Sequence, residues 1–332
     1  MSSRGRTVFV TGGSGFIGRA LVRRLVSEGA TVKALARSPA SAAVVEELGA
    51  TPVSGSLADR DAMAAGAAGC EWAFHLAAHV GAWGQREDFM RENVEGTENA
   101  LAACRDAGVS RFVHASTEAV LIAGEPLVNV DETAPLRPDS KALYSSTKAL
   151  AERAVLAANA PGFETVAVRP RFVWGAGDTT LLPHIVGMVR EGKFAWIGGG
   201  KQRTAVTHVE NVVEGLLLGA EKGRGGEAYF VTDGDSVVFR EFVSELIRTQ
   251  GVEPPDRTIP AGLASAAAAA AETAWKLLPL PGEPPLSRFE VWVSSLECTI
   301  DISKARRELG YEPIISREEG LAQMREAAAA AA

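Results

Sequence analysis

A glycine-rich turn between a strand and a helix is the feature that most restricts the fold of this chain. Residues 7–10 are predicted to form a buried strand, and the sequence TGGSGFIG follows at 11–18 before a predicted helix. Gly12 and Gly15 let the backbone turn tightly and approach a pyrophosphate, and Gly18 lets the helix pack close to the strand. The pattern predicts a dinucleotide-binding turn. The residues that we assign to it are Gly12, Ser14, Gly15, Phe16, Ile17 and Gly18.

Short β-branched runs then alternate with helical patterns, which is typical of a parallel sheet with right-handed crossovers. The sequence predicts an α/β protein with a Rossmann-type doubly wound parallel sheet. Further strands are predicted at 31–36, 51–53, 72–77, 112–115 and 164–168, and helices at 16–28, 90–107 and 144–160. We assign residues 1–175 to a dinucleotide-binding Rossmann domain. Residues 176–332 form mainly a smaller, interleaved C-terminal substrate-binding region, with segments around 203–232 returning to the main domain.

Composition and charge exclude several classes of protein. The 332 residues are 46% hydrophobic and 23% charged, and the formal charge of −7 is spread along the chain. Because no basic stretch stands out, we expect no nucleic-acid partner. The three cysteines are isolated in sequence, so we expect no metal site. No apolar run reaches the ~18 residues of a spanning helix, and no signal-peptide pattern is present. We expect a cytoplasmic protein without a transmembrane segment.

The end of the second predicted strand bears on the choice of cofactor. An acidic residue there would bind a ribose 2′-hydroxyl and disfavour a 2′-phosphate. This chain has Ala36 at that position, followed by Arg37 and Ser38, which offer a planar cation and a hydroxyl to a phosphate. We therefore favour NADP(H). NAD(H) is the alternative, because an arginine at a strand end is also a common solvated residue.

A tyrosine, a lysine and a hydroxyl residue form the candidate catalytic set. Tyr144 and Lys148 are spaced so that one helix places both side chains on the same face. A phenol is a poor proton shuttle at neutral pH, but a neighbouring ammonium lowers its pKa. Thr117 supplies a hydroxyl from an upstream segment. We expect the charge of Lys148 to lower the pKa of Tyr144.

Motifs along nearly the whole chain point to one family. They are TGGSGFIG at 11–18, HLAA at 75–78, NVEGT at 93–97, ASTEAV at 115–120, YSSTK at 144–148, RPRFVWG at 169–175, WIGGG at 196–200, HVENV at 208–212, YFVTD at 229–233 and ELGY at 308–311. In these motifs the chain resembles the extended short-chain dehydrogenase/reductases. Within them it looks most like the branch of the 3β-hydroxysteroid dehydrogenases and the decarboxylating sterol C4 enzymes.

The resemblance implies a role for each catalytic candidate. Tyr144 would be the general acid or base, Lys148 would hold the nicotinamide ribose, and Thr117 would hydrogen-bond the substrate oxygen. Ser116 is a rival for that last role. Asn93 would help to organise a proton-relay water. The further cofactor-binding residues that the resemblance implies are Ser56, Leu57, Leu76, Ala77, Ala78, Pro170 and Val173, together with Tyr144 and Lys148.

The chain departs from the family pattern at two places. Ser56 stands where relatives commonly have an aspartate at the adenine edge, which weakens one cofactor contact. The sequence at 117–119 is Thr-Glu-Ala and lacks the second carboxylate of the sugar-nucleotide dehydratase motif, so dehydration is disfavoured.

Candidate substrate residues follow the predicted strands. Val80 and Trp83 come after the fourth strand, at the carboxyl edge where ligands bind in open α/β sheets. Glu118 is next to Thr117. Trp174 and His184 are the remaining candidates. Core packing accounts equally well for Trp83 and Trp174, and a surface or capping position at a helix start accounts for His184.

The expected function is that of an NADP(H)-preferring oxidoreductase that interconverts a secondary alcohol and a ketone on a bulky, apolar, steroid-like substrate. We expect a homodimer. The alternatives are a dihydroflavonol-type or β-keto acid ketoreductase, a sugar-nucleotide epimerase and a non-catalytic NADP(H)-sensing protein. Arg203 and Arg288 form no recognisable pyrophosphate clamp, which counts against an epimerase, and the pair Tyr144 and Lys148 counts against a sensor.

Overall fold

The structure is a computed structural model that describes residues 3–278 and 280–331. Short strands are spread over the whole of these ranges. In chain order they are β1 Thr7–Thr11, β2 Thr31–Ala36, β3 Thr51–Ser54, β4 Trp72–His75, β5 Arg111–Ala115, β6 Leu127–Val130, β7 Glu164–Pro170, β8 Val173–Trp174, β9 Trp196–Ile197, β10 Arg203–Thr204, β11 Thr207–His208, β12 Glu227–Val231, β13 Val237–Val238, β14 Thr258–Ile259 and β15 Cys298–Ile300.

Seven of these strands form one parallel sheet in the order β12-β7-β5-β4-β1-β2-β3. The chain direction across the sheet reverses between β1 and β4, so the carboxyl ends of these two strands flank a topological switch point. Ligands of doubly wound sheets bind at such a point. The predicted Rossmann-type α/β fold is confirmed.

Helices connect the strands and cover both faces of this sheet. They are α1 Phe16–Ser27, α2 Pro39–Glu47, α3 Arg60–Ala67, α4 Arg86–Phe89, α5 Gly96–Asp106, α6 Leu143–Ala157, α7 Leu181–Arg190, α8 Val209–Lys222, α9 Phe239–Arg248, α10 Ala261–Leu277, α11 Arg288–Ser295, α12 Ser303–Leu309 and α13 Arg317–Ala331. Short 3₁₀ turns lie at Glu118–Leu121 and Gly198–Gly200, and a π-helix at Met90–Glu95.

The core lies in two layers on either side of the sheet. On one face, α1 and α8 pack together, and Val22 and Val212 join the apolar side chains of the strands there. On the other face, Met63 of α3, Leu101 of α5 and Val155 of α6 pack around Phe9 and other strand residues. Burial on both faces explains why the strands read as continuous apolar runs instead of alternating patterns.

The C-terminal part of the chain contributes to both the main sheet and a smaller layer. β12 pairs with the outer side of β7, whereas β13, β10, β15 and β6 form a separate four-stranded sheet. Trp174, Trp196 and Phe242 lie in an apolar cluster of this region. The division of the chain at residue 175 stays a prediction. Among the described helices, none combines the length and apolarity that crossing a bilayer requires.

The predicted helix at 90–107 differs from the one observed. A π-helix at Met90–Glu95 precedes α5, and it turns Asn93 into the interior, where the side chain is 1% exposed. π-turns within helices are common at functional sites. The helices α2 and α3 were not predicted, although Ser38 and Asp59 cap them with side-chain oxygens.

A buried ion pair joins α6 to the centre of the sheet. Glu152 on α6 accepts hydrogen bonds from Arg169 of β7 at 2.5 Å and from the Ser116 hydroxyl at 2.5 Å. The Glu152 and Arg169 side chains are 0% and 3% exposed. The pair therefore fixes the helix that carries Tyr144 and Lys148 against β7.

We predict that Glu152→Ala lowers the free energy of unfolding by about 3–5 kcal/mol, because Arg169 is left as a buried charge without its partner. Urea unfolding followed by circular dichroism measures the change. The matched control is Asp106→Ala, since Asp106 pairs with Arg60 on the surface with side chains 57% and 52% exposed. That variant is expected to change the free energy by less than about 1 kcal/mol. Equal losses in both variants would contradict the prediction.

Candidate active site

The glycine turn brings the start of α1 against the end of β4. Gly12 has φ 74°, and a Cβ there would lie 2.6 Å from the backbone nitrogen of Ala77. A Cβ at Gly18 would overlap the Gly12 carbonyl oxygen. Gly15 occupies the N-cap of α1 without a side-chain cap, so the first N–H groups of this helix have no side-chain acceptor. Such a helix start fits a phosphate.

The other predicted cofactor residues line the same edge of the sheet. Leu76, Ala77 and Ala78 follow β4 and are partly exposed, and the backbone N–H of Ala77 donates to the Thr11 hydroxyl at 3.3 Å. Pro170 is the buried last residue of β7, and Val173 is in β8.

The end of β2 carries an exposed cation. Arg37 is exposed and forms no ion pair with the residues that the structure describes. The Ser38 hydroxyl accepts a hydrogen bond from the Ser41 backbone at 3.2 Å, which caps α2. Past β3, Ser56 is exposed and Leu57 is buried.

Tyr144 lies in the first turn of α6, between a hydroxyl and an aromatic ring. The Thr117 hydroxyl lies close enough to the phenol to affect its pKa, and the ring of Phe289 in α11 meets the Tyr144 ring edge-on with centroids 5.9 Å apart. Glu118 is buried beside them. It accepts hydrogen bonds from the Thr117 hydroxyl at 2.8 Å and from the Arg171 guanidinium at 2.5 Å.

These surroundings raise the pKa of Tyr144 above its ordinary value. Burial is the largest cause, the charge of Glu118 adds to it, and the hydrogen bond with Thr117 opposes it. The prediction that Lys148 lowers the pKa of Tyr144 is therefore wrong for this structure. The reason is that the ammonium of Lys148 is engaged elsewhere, and a carboxylate faces the phenol instead.

Lys148 is 2% exposed and is held against β5. Its ammonium donates a hydrogen bond to the carbonyl oxygen of Ala115 at 2.9 Å, and its Nζ lies 3.0 Å from Nε2 of His114. Burial lowers the pKa of Lys148 to about 8, although the charge of Glu152 opposes this shift. Lys148 and Tyr144 share one helix, as predicted, but in this structure they bond to different partners.

The two neighbouring hydroxyls of the 115–120 motif have different partners. Ser116 donates to buried Glu152, whereas Thr117 meets Tyr144 and Glu118. Thr117 also caps the short 3₁₀ turn that follows it. The Ser116 hydroxyl is occupied by Glu152, whereas the Thr117 hydroxyl lies near the phenol, which favours Thr117 over Ser116 as the partner of a substrate oxygen.

Asn93 connects a loop to α6. Its Oδ1 accepts from the backbone N–H of His79 at 2.7 Å, and its Nδ2 donates to the His79 carbonyl and to the Thr147 hydroxyl, both at 3.1 Å. These bonds fix the loop after β4. The role of Asn93 in organising a proton-relay water stays a prediction.

The predicted substrate residues fall into two groups. Val80 is 69% exposed, and the ring of Trp83 lies 5.7 Å from the Lys276 ammonium at the end of α10. Trp174, in contrast, is 2% exposed, and its indole N–H donates to Asp233 at 2.8 Å. Core packing therefore explains Trp174, and we do not retain it as a substrate residue.

His184 is an exposed residue of α7. Among the described residues, this exposed histidine forms no hydrogen bond or ring contact with Tyr144, Thr117 or Phe289. Within the same residues, no group of three or more His, Cys, Asp or Glu side chains could hold a metal ion.

Sequence analysis missed Phe289 and His114. Phe289 is far from Tyr144 in the chain, and only the tertiary fold brings the two rings together. The capping box of Ser287 and Glu290 marks the start of α11 and could have revealed the helix, although not the face that it presents. His114 directly precedes the 115–120 motif, but in the sequence nothing distinguishes it from any other buried residue of a strand.

Comparison with known proteins identifies the family of this chain. Residues 9–261 match the 3-beta hydroxysteroid dehydrogenase/isomerase family. The chain belongs to this family. It is an NAD(P)-dependent oxidoreductase of the extended short-chain dehydrogenase/reductase type, as its motifs predict.

Three proteins of known name or structure are similar to this chain. The 4-hydroxy-2-methyl-3-oxo-4-farnesyl-3,4-dihydroquinoline-1-oxide ketoreductase of Stigmatella aurantiaca is 48% identical over 96% of this chain and 96% of its own. The 2-alkyl-3-oxoalkanoate reductase of Stenotrophomonas maltophilia is 38% identical over 97% and 99%. The structure of MoeE5 in complex with UDP-glucuronic acid and NAD is 27% identical with a TM-score of 0.75, covering 98% and 100%.

The buried histidine His208 is predicted to make the free energy of unfolding depend on pH. Burial lowers the pKa of His208 to about 4 from an ordinary 6.5. Below pH 6.5 the unfolded state therefore binds a proton that the folded state does not, and stability falls as the pH decreases towards 4. Urea unfolding of wild type and His208→Gln at pH values of about 7.5 and 5.5 tests this. On going to the lower pH, the free energy of unfolding of wild type should fall by about 1 kcal/mol more than that of the variant. Equal losses would contradict the lowered pKa of His208.

Proposed function

We propose that the protein is an NADP(H)-preferring oxidoreductase that interconverts a ketone and a secondary alcohol on a bulky, apolar ring skeleton. The observation that carries the proposal is the position of Tyr144, which has the Thr117 hydroxyl on one side and the ring of Phe289 on the other. A proton donor, a second hydroxyl and an apolar wall thus converge on one point. The 48% identical relative, named as a ketoreductase of a farnesylated dihydroquinoline oxide, supports this substrate class.

Tyr144 handles the proton. A phenol keeps its proton at neutral pH, so Tyr144 can act as a general acid towards a carbonyl oxygen. This protonation state suits ketone reduction better than alcohol oxidation. The Thr117 hydroxyl positions the same oxygen by a second hydrogen bond.

A nicotinamide dinucleotide supplies the hydride in reduction and accepts it in oxidation. The start of α1 at Gly15 would hold its pyrophosphate, and Lys148 would hold its nicotinamide ribose. The exposed guanidinium of Arg37, which follows Ala36 at the end of β2, favours a 2′-phosphate. NAD(H) is the alternative.

Exposed apolar side chains lie on the loop after β4 and at the end of α10. Trp83 contacts Lys276 of α10, and Val80 and Leu277 are 69% and 77% exposed on the two segments that this contact joins. An apolar substrate would cover part of this surface, because removing apolar area from water contributes roughly 25 cal/mol of favourable free energy per Å². Steroid-like ketones are one member of the proposed class of bulky, apolar substrates.

Reduction of a β-keto acid is the second candidate, because the 38% identical relative is named as a 2-alkyl-3-oxoalkanoate reductase. Arg171, a buried cation beside Glu118, is already paired with that carboxylate. This pairing favours a neutral substrate. The sugar-nucleotide alternative is less supported, since Arg203 bonds to Ser236 and Arg288 to Glu272.

A substrate panel tests the proposal. Purified protein is incubated with NADPH and, in separate reactions, a prenylated ring ketone, a steroid ketone, a 2-alkyl-3-oxo acid and a UDP-sugar, and nicotinamide absorbance is followed. We expect the ring ketones to be reduced fastest, and Tyr144→Phe to lower kcat by about 10²–10⁴-fold. Thr117→Val should impair turnover, whereas Thr117→Ser should retain it. Binding of the UDP-sugar alone, or full activity of Tyr144→Phe, would reject the proposal.

Cofactor preference has its own test. Arg37→Glu is expected to raise the KM for NADPH by about 10–100-fold, because a charge-assisted pair is replaced by repulsion. The KM for NADH should stay within about 3-fold, since no phosphate contacts the residue. Arg153→Glu, an exposed change on α6, is the control with the same change of charge. An unchanged ratio of the two KM values in Arg37→Glu would exclude the role of Arg37.

A further inference from the structure

We propose that His114 is a positioning residue for Lys148, which it holds by accepting a hydrogen bond from the lysine ammonium at its Nε2. The inference rests on the proposed role of Lys148 in holding the nicotinamide ribose. It adds to that role a buried partner on the sheet that the family motifs do not include.

The geometry leaves little freedom to the lysine. Nζ of Lys148 lies 3.0 Å from Nε2 of His114 and 2.9 Å from the carbonyl oxygen of Ala115. An ammonium has three N–H donors, so these two acceptors leave one donor for a ligand. Both side chains are almost completely buried, with Lys148 2% and His114 1% exposed. Competition from water is therefore small.

His114 is in the right protonation state to be an acceptor. Burial is the main cause that lowers its pKa well below the ordinary value, and the charges of Lys148 and His75 lower it further. A neutral imidazole has one bare nitrogen, and an ammonium 3.0 Å away requires that nitrogen to be Nε2.

The neighbouring histidine fixes the plane of the His114 ring. The His75 ring stacks on it with centroids 5.4 Å apart and 22° between the planes. His75 itself is held by the Thr11 hydroxyl at 2.8 Å and the Thr97 hydroxyl at 3.0 Å. Because both nitrogens of His75 have partners, His114 is the imidazole that is left to hold Lys148.

The arrangement has a consequence for the site. A lysine that is docked on β5 has its ammonium held by His114 and the Ala115 carbonyl oxygen. It also places one remaining N–H donor at the carboxyl edge of β5. His114 thereby affects how Lys148 holds the ribose, without contacting the ribose itself.

Two variants separate this role from simple packing. His114→Gln keeps an acceptor oxygen but loses the ring that stacks on His75, whereas His114→Phe keeps a ring and loses the acceptor. The hydrogen-bond role predicts that His114→Gln retains kcat/KM within about 5-fold. It predicts that His114→Phe loses about 10–100-fold and binds NADPH more weakly, since a hydrogen bond to a charged group is removed. A packing role predicts the reverse order.

The measurements are steady-state kinetics, NADPH titration by tryptophan fluorescence, and thermal unfolding. The inference would be overturned if His114→Phe kept more activity than His114→Gln. Wild-type kinetics in both variants would overturn it as well. Lys148→Met serves as the reference. If Lys148→Met is inactive while His114→Phe is fully active, only the role of His114 fails. If Lys148→Met turns over like wild type, the proposed function of Lys148 fails as well.

A measurement on the wild-type protein is independent of how the variants fold. In protein labelled with ¹⁵N-histidine, Nε2 of His114 is expected to give the resonance of a bare imidazole nitrogen near neutral pH. A proton on Nε2 would remove the acceptor and reject the inference.

Discussion

The buried carboxylate of Glu152 is the interaction on which the arrangement of the site depends. It receives hydrogen bonds from Arg169 on β7 and from Ser116 just after β5, and it belongs to the helix that presents Tyr144 and Lys148. Two strands and one helix thus meet at a single charged group that water does not reach. Because desolvation makes such a charge unfavourable without its partners, the three elements hold one relative position.

This fixed position allows the neighbouring groups to differ sharply in their electrostatic environment. Ser116 is directed towards Glu152, whereas Thr117, the next residue, is directed towards Tyr144 and Glu118. The negative charge of Glu118 and burial raise the pKa of the phenol, and burial lowers that of the Lys148 ammonium. The two shifts go in opposite directions to those expected of a tyrosine and a lysine that are bonded to each other. Burial is the main cause of both shifts.

Much of this architecture could be predicted from the sequence, because the strands of the main sheet are apolar runs and the glycine turn has a strict spacing. β1, β2 and β7 begin at their predicted residues. The short strands β8 to β11, β13 and β14 could not be predicted, since two residues have no periodicity. Helix α3 was missed although Asp59 caps it, because its apolar face consists mainly of small residues. The partner of Lys148 could not be predicted either, because spacing along α6 says nothing of which acceptors β5 offers.

The contact between Phe289 and Tyr144 has a consequence for how the family diversifies. The ring that borders the phenol belongs to α11, whereas the groups that handle the proton belong to α6 and the segment after β5. In the proposed function, recognition of the carbon skeleton and chemistry at the oxygen would thus be encoded in separate stretches of the chain. A change of side chain in α11 would then alter which skeletons fit without disturbing proton transfer, so that new substrates could be acquired while the reaction is conserved.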